Sequence, residues 1–552
     1  MISESTSSPA PRLRVALRRR DLLLALPPAA LFLAWVVLFL ASFGAIVEVI
    51  YADADISSAT MIGELFPKAP GDASTVLGYH PWYSTLWFEL ATHWLPGYRH
   101  VWEVGPWVVS VIGIALVGWA TAKVAGRWTG WLVAIVLVCA GTRLLPIQFG
   151  SDIHGATAVN VCFLDAFLVL LVLHGGRIGR PLAHVVLCAL ITIVTAIGLS
   201  SDVLLMPAGV IPFIAAGLMQ LRWAPGAIGK RIAVAAGLIG AASIVLAEIA
   251  VAAMHRVHVY TGAHTIAFAR FDDLVGNVVH YFQSLADLFN GDFGGAAITA
   301  RSSLELACAV AVGFAFVLAV RLGLDQVDRL RAAESAISAG REAHVGFWFA
   351  AIVLTSVAFV LSSIVTLSLG RYIVAVGYGV IVLAAVSLAG RSYAARAVGI
   401  AAACILVAGS VVALAKRDLT SNPGHYPRNA DARLIGTFAQ GEGLKYGYAA
   451  YWDAAPVTWE SKLGVEVYPV ITCPAPSGLC TYPWHEISSW YKPRPSTRSF
   501  LIADPRYGPP TTDFDLGKPD EVVTLGDYKL YVYPFDIASR LGDPKPYGIN
   551  GS

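Results

Sequence analysis

Apolar stretches recur along the chain as far as residue 415, separated by short polar segments. A helix needs about 20 such residues to cross roughly 30 Å of hydrocarbon. On that basis the pattern predicts about eleven transmembrane helices, near 22–47, 105–125, 129–147, 156–174, 182–200, 202–221, 232–254, 303–321, 345–364, 371–390 and 395–415. The first run is too long for the apolar core of a signal peptide. No small-x-small cleavage site follows Ala41, Ser42 and Phe43, so the run is expected to stay as an anchor.

Basic residues orient the bundle, because cytoplasmic loops carry the excess of Arg and Lys. With Arg12, Arg14, Arg18, Arg19 and Arg20 in a cytoplasmic amino terminus (1–21), alternation places Lys123/Arg127, Arg177/Arg180, Arg222/Lys230/Arg231, Arg321/Arg329/Arg331/Arg341 and Arg391/Arg396 inside as well. The expected external segments are a loop at 48–104, a second at 255–302 and everything after 415. In the first loop, Tyr79 to Leu90 is too short to span but rich in rings suited to headgroup depth, which predicts an interfacial helix. In the second, Leu274, Val275, Val278, Val279, Phe282, Leu285, Leu288 and Phe289 recur at helical spacing and predict another. From 416 to 552, prolines, glycines and charges rise. Short β-prone runs appear at 447–452, 465–471, 499–503 and 528–533, the pattern of an extracytoplasmic mixed α/β domain beside the 22–415 membrane unit.

Composition agrees with this division. Of 552 residues, 56% are hydrophobic and 14% charged, against roughly 45–50% and about 25% in soluble domains, which argues against a soluble enzyme. The 39 basic and 37 acidic residues nearly cancel, so the charge balance gives no support for nucleic acid as a partner. No Walker, Rossmann or zinc-site spacing occurs, and no nucleotide cofactor is expected. Five cysteines, Cys139, Cys162, Cys188, Cys308 and Cys404, sit in apolar runs as small hydrophobes. Cys473 and Cys480 lie seven apart in a Pro/Gly-rich turn of the tail, where an extracytoplasmic location permits a disulfide between them. Arginine outnumbers lysine and alanine is abundant, a composition that suggests a GC-rich bacterial source and an inner-membrane location facing the cell envelope.

Candidate chemistry gathers at the expected external ends of the spans. Asp53 and Asp55 follow the first span; two carboxylates at this spacing can share a divalent cation or divide base and binding roles, or they are solvated acidic residues capping a helix end. Asp152 and His154 occupy the short loop after the third span; the histidine is either a site residue or a hydrogen-bonded loop residue. Arg371 and Tyr372 open the tenth span, where an arginine offers a planar fork to a phosphate or snorkels to the interface. Arg270 in the second external loop has the same two readings. Asp202, between spans five and six, reads either as a further cavity carboxylate or as a helix amino-terminal cap. Asp165 and Glu248 fall inside spans, where a carboxylate is costly and is a functional candidate by default.

Taken together, Asp53 and Asp55 after the first span, Asp152 in a second external loop, Gly370-Arg371-Tyr372 before an apolar helix and the tail segment 447–454 resemble the GT-C superfamily of polytopic membrane glycosyltransferases. Within it the closest patterns are those of protein O-mannosyltransferases and of the bacterial relatives that modify lipid A, such as aminoarabinose transferases. Ala54 separates acidic residues that are often adjacent in that group, and no proline follows the Arg-Tyr pair.

The resemblance implies a sugar donor carried on a polyprenyl phosphate, an envelope acceptor and an extracytoplasmic site. In that scheme Asp53 or Asp55 is the base that deprotonates an acceptor hydroxyl, giving inversion. Asp55 and Asp152 hold the acceptor, or Mg²⁺ or Mn²⁺, near a leaving phosphate, and Arg371 neutralises that phosphate. His154, Tyr372 and Arg270 are further candidates for substrate binding. Two other readings compete: a transporter using Asp165 and Glu248 as midplane charges, and a non-catalytic envelope protein whose aromatic tail binds glycan.

Overall fold

Backbone polar groups find no water in hydrocarbon, so apolar segments there must close their hydrogen bonds as helices. The computed structural model describes residues 11–51, 54–78, 98–139, 141–149, 153–261, 267–332, 338–363, 370–416, 429–473, 475–505 and 515–542. Among these, nine helices are long and apolar enough to cross a membrane. They are α1 (Pro11–Tyr51), α3 (Tyr98–Ala125), α6 (Ile153–Leu173), α7 (Pro181–Ser201), α9 (Gly226–Arg256), α11 (Ala300–Arg331), α12 (Ala339–Val360), α13 (Val374–Leu388, entered through a 3-10 turn at Gly370–Ile373) and α14 (Tyr393–Ala415). A short helix, α2 (Ala54–Leu65), follows α1.

The segments expected as the third and sixth spans are not among these nine, because neither forms a single long helix. The third is α4 (Arg127–Cys139) followed by α5 (Leu144–Gln148). Gly141 lies between them, where a Cβ would fall 1.9 Å from the Leu288 carbonyl oxygen, so only glycine permits that approach. Gln148 Nε2 donates to the Leu137 carbonyl at 2.8 Å and satisfies the broken helix end. The sixth is a π-turn (Met206–Val210) that runs into α8 (Ile211–Trp223), with Pro207 and Pro212 each removing a backbone donor. α6 and α13 are buried along most of their length and form the centre of the bundle; α7 and α9 are peripheral and expose Leu182, Val185, Leu238 and Ile249 on their outer faces.

In the second external loop, α10 (Leu274–Asp287) forms over the predicted helical run. It buries Asn277, Tyr281 and Leu285 and leaves Val275, Val279 and Phe282 exposed, the disposition of an interfacial helix. The corresponding stretch of the first loop, Tyr79 to Leu90, lies outside the described residues.

The tail contains a six-stranded mixed sheet in the order β5-β4-β3-β7-β9-β8. Its strands are β3 (Tyr446–Ala449), β4 (Glu466–Thr472), β5 (Leu479–Thr481), β7 (Ser499–Ala503), β8 (Glu521–Leu525) and β9 (Tyr528–Tyr533). β3 is parallel to β4 and β7, and the remaining pairs are antiparallel. Two helices, α15 (Asn429–Gly441) and α16 (Tyr451–Glu460), accompany the sheet. The β-prone run at 447–452 therefore ends early, because Tyr451 and Trp452 already belong to α16, which carries Asp453 in its first turn. Cys473 and Cys480 are disulfide-bonded, with their Cα atoms 5.8 Å apart, beside the antiparallel β4–β5 pair.

A second, three-stranded sheet fixes this domain to the bundle. β1 (Thr75–Leu77), from the first loop, pairs in parallel with β2 (Val259–Thr261), from the second, and antiparallel with β6 (Glu486–Ile487), from the tail. α16 also packs directly on α2. The domain thus rests on the residues that immediately follow the first span.

Candidate active site

α2 starts just beyond the first span and presents Asp55 in its first turn, where a carboxylate complements the helix dipole. Two groups from distant parts of the chain meet it. Arg371 Nη1, from the turn that opens α13, lies 3.3 Å from Asp55 Oδ2. Tyr451, the first residue of α16, donates its hydroxyl to Asp55 Oδ1 at 2.7 Å, with Ser58 Oγ 3.2 Å from the same phenol oxygen. The ion pair is about one-third exposed on each side, 35% for Asp55 and 37% for Arg371, and so remains open to a ligand.

Burial opposes ionisation of Asp55. The charges of Arg371 and His485 and the hydrogen bonds from Tyr451 and Arg371 outweigh it and hold the carboxyl below the usual aspartate range. Burial, followed by the adjacent Asp55 charge, drives the Tyr451 phenol well above its ordinary value, so it stays a neutral donor. Rings from the tail wall this cluster. Tyr451 stacks on Tyr482 with centroids 5.0 Å apart and planes at 11°, and His485 lies 5.2 Å from Tyr451. Gly78 passes so close to His485 that a Cβ would meet its ring at 2.3 Å.

On the other side, Tyr372 extends the cluster into the bundle. The Arg371 guanidinium sits 5.3 Å from the Tyr372 ring centre, and that ring meets His154 edge-on at 4.5 Å. His154 is buried at the start of α6, with Nδ1 2.9 Å from Asp202 Oδ2. Thr157 Oγ1 donates to the same Asp202 oxygen at 2.5 Å, while the Leu204 amide donates to Oδ1 at 2.9 Å. Asp202 is thus a buried carboxylate tied to the site histidine, the first of its two expected readings. One oxygen closes the turn after α7, and the other holds His154.

The expected residues divide clearly. Asp55, Arg371, Tyr372 and His154 come together at the domain-bearing end of the bundle. Asp53 and Asp152 lie outside the described residues. Arg270 is exposed before the turn Phe271–Asp273, and its side chain makes no hydrogen bond or ion pair with a described residue. Its backbone neighbour Ala269 instead pairs with Leu361. Tyr451, Tyr482 and His485 are additions; among them only Tyr451 lies in a segment, 447–454, singled out in the sequence.

The oxygens of Asp55 face a guanidinium and a phenol, whereas a hard cation requires a shell of oxygen ligands. Among the described residues no three of His, Cys, Asp or Glu group as a metal site. Asp152, the other carboxylate expected to hold Mg²⁺ or Mn²⁺ with Asp55, lies outside the described residues.

The two intramembrane carboxylates occupy different settings. Asp165 is fully buried and accepts from His344 Nδ1 at 2.8 Å, and Thr121 Oγ1 lies 3.1 Å from His344 Nε2, tying α3, α6 and α12 together. Glu248 lies on the exposed face of α9.

No family model matches the sequence, and no curated protein matches it. Among solved structures, the chain is similar to ArnT from Cupriavidus metallidurans in the apo state, with 12% identity and a TM-score of 0.52 over 92% of this chain and 99% of that one. The same protein bound to undecaprenyl phosphate gives 13% identity and a TM-score of 0.48 over the same shares. At this identity the apo structure establishes a common fold: an ArnT-like bundle of membrane helices carrying a β-containing carboxy-terminal domain.

Proposed function

We propose that this protein is a membrane glycosyltransferase that moves a hexosyl or pentosyl group from a polyprenyl-phosphate donor to a hydroxyl of an envelope acceptor, with inversion at the anomeric carbon. The observation that carries this reading is the Asp55–Arg371 pair closed by Tyr451, a half-open ionic site at the junction of an apolar bundle and a polar domain. The ArnT-like fold supports it. In the orientation that the basic loops favour, this end of the bundle is extracytoplasmic and the opposite end faces the cytoplasm of a cell with this protein in its inner membrane.

The chemistry follows from the charges. Arg371 offers a planar cationic fork at the mouth of α13, which suits a phosphate diester whose prenyl chain lies against apolar helices. The acceptor oxygen attacks the anomeric carbon, the bond from that carbon to the phosphate oxygen breaks, and its electron pair leaves with the polyprenyl phosphate. Arg371 stabilises the charge that develops there. A phosphate needs little acid assistance to depart.

The acceptor proton goes to a carboxylate. A base works best with a pKa near the operating pH, and Asp55 is held low by its partners. Asp53 therefore takes the base role, and Asp55 orients Arg371 and Tyr451. The stacked rings of Tyr451 and Tyr482 provide a flat apolar wall for a sugar face. Transfer assays on Asp53→Asn and Asp55→Asn test the assignment: the first abolishes transfer and the second weakens it, and full activity in both contradicts the site.

A further inference from the structure

Between the tail strands β5 and β6 the chain delivers His485 to the site with φ at 51°, a backbone conformation that side chains rarely adopt. Histidine tolerates this region better than most residues, but the conformation still costs free energy and persists where the surroundings impose it. Here the three-stranded sheet imposes it. The β1–β6 register pairs Thr75 with Ile487 and Val76 with Glu486. Thr75 Oγ1 donates to the Glu486 carbonyl at 2.6 Å, and the Ser488 amide donates to the Ser74 carbonyl at 2.8 Å. Gly78 follows β1 and His485 precedes β6, so this antiparallel pairing brings the two together.

Gly78 shapes the seat of the histidine ring. A Cβ there would fall 2.3 Å from His485 Nε2 and 2.6 Å from Cε1, so any larger residue would push the ring aside. The seated ring lies 5.2 Å from that of Tyr451, tilted by 31°, and Tyr482 stacks on Tyr451 at 5.0 Å. Tyr451 in turn bonds Asp55 through its hydroxyl. Contacts therefore run from the first loop, through a histidine of the tail, to the phenol that closes the Asp55–Arg371 pair. The charge of His485 also acts on Asp55, in the same sense as that of Arg371.

We propose that His485 is a positioning residue: held against Gly78 by the β1–β6 pairing, it seats the Tyr451 ring so that the phenol meets Asp55, and the docking of the external domain on the first loop thereby sets the site. The consequence for transfer rests on the reading proposed above; the seating of Tyr451 does not.

Fluorine NMR on the full chain in detergent, with the Tyr451 ring fluorinated beside its hydroxyl, tests this. Asp55→Asn is expected to shift the resonance in the wild-type background, because it changes the acceptor of the phenol. Gly78→Ala displaces the histidine ring, and His485→Asn removes it while suiting the same backbone; in either background the response to Asp55→Asn is expected to be lost. A full response in both variants overturns the proposal, as does a wild-type signal that ignores Asp55→Asn. In transfer assays each variant is expected to lower kcat about tenfold, the loss of one hydrogen bond to a charged group, with the KM for donor unchanged. The double variant should match His485→Asn alone, since no ring is left for the new methyl to meet. A rise in KM at constant kcat overturns the positioning role, and so does a double variant whose loss is the product of the two single losses, the mark of a general loosening of the docked domain. Because the resonance is read without turnover, a protein that shows the coupling but transfers no sugar fails only the transferase reading.

Discussion

The phenol of Tyr451 donates a 2.7 Å hydrogen bond to Asp55 across 396 residues of sequence, linking the first turn of the tail's α16 to the first turn of α2. The same carboxylate receives Arg371 from the turn before α13. One aspartate thus joins the start of the membrane unit, a late span and the external domain.

Removing the phenol tests that link. Tyr451→Phe deletes a hydrogen bond to a charged group, for which about a tenfold fall in kcat/KM is expected. The bond lowers the Asp55 pKa, so its loss raises that pKa. The acid limb of the pH–rate profile, set by the base Asp53, is expected to stay in place while the rate falls, and steady-state kinetics across the acid range show whether it does.

Arg371 is expected to act on the leaving phosphate rather than as a simple anchor. Arg371→Gln should lower kcat by about 10²–10³, the usual effect of losing one donor to a developing anion. Arg371→Lys keeps the charge without the fork and should recover part of that loss. Transfer rates for the two variants at saturating donor measure the difference.

Docking of the domain should depend on pH through Glu486. It lies in β6, paired with β1, and burial raises its carboxyl from 4.5 to about 7. Between these values the folded protein binds a proton that the unfolded chain has released. The stabilisation is therefore complete below 4.5 and is lost as pH rises towards about 7. Glu486→Gln should remove this slope from the melting temperature measured between those pH values.

His344 is expected to matter for stability rather than for transfer. Its ring is fully buried against Asp165, and His344→Ala leaves that carboxylate without its partner, a loss of about 3–5 kcal/mol. The double change His344→Leu with Asp165→Leu removes both polar groups and should cost less. Thermal unfolding in detergent compares them.

The spans were readable because twenty consecutive apolar residues admit few structures in a membrane. The break at Gly141 is marked in the sequence only by Gly141-Thr142-Arg143 within the apolar run, and the close approach that requires glycine there is to the distant Leu288 carbonyl. Asp55, Arg371, Tyr372 and His154 were found as polar residues at span ends, where polar groups have reason to be. Tyr482 and His485 carry no such mark. Their place depends on how a segment of the same domain, some thirty residues beyond Tyr451, folds back against that residue. For Asp202 the cap and cavity readings are both open from the sequence, because its turn role is local while its bond to His154, which decides for the cavity, is not.

The central claim is tested most directly by sugar transfer with purified protein in detergent, using radiolabelled polyprenyl-phosphate sugars and a membrane extract as acceptor. The account predicts label in an envelope product without any nucleotide sugar, and loss of that label in Asp53→Asn. Folded wild-type protein that transfers from none of these donors, or an Asp53→Asn variant that transfers as fast as wild type, would contradict it.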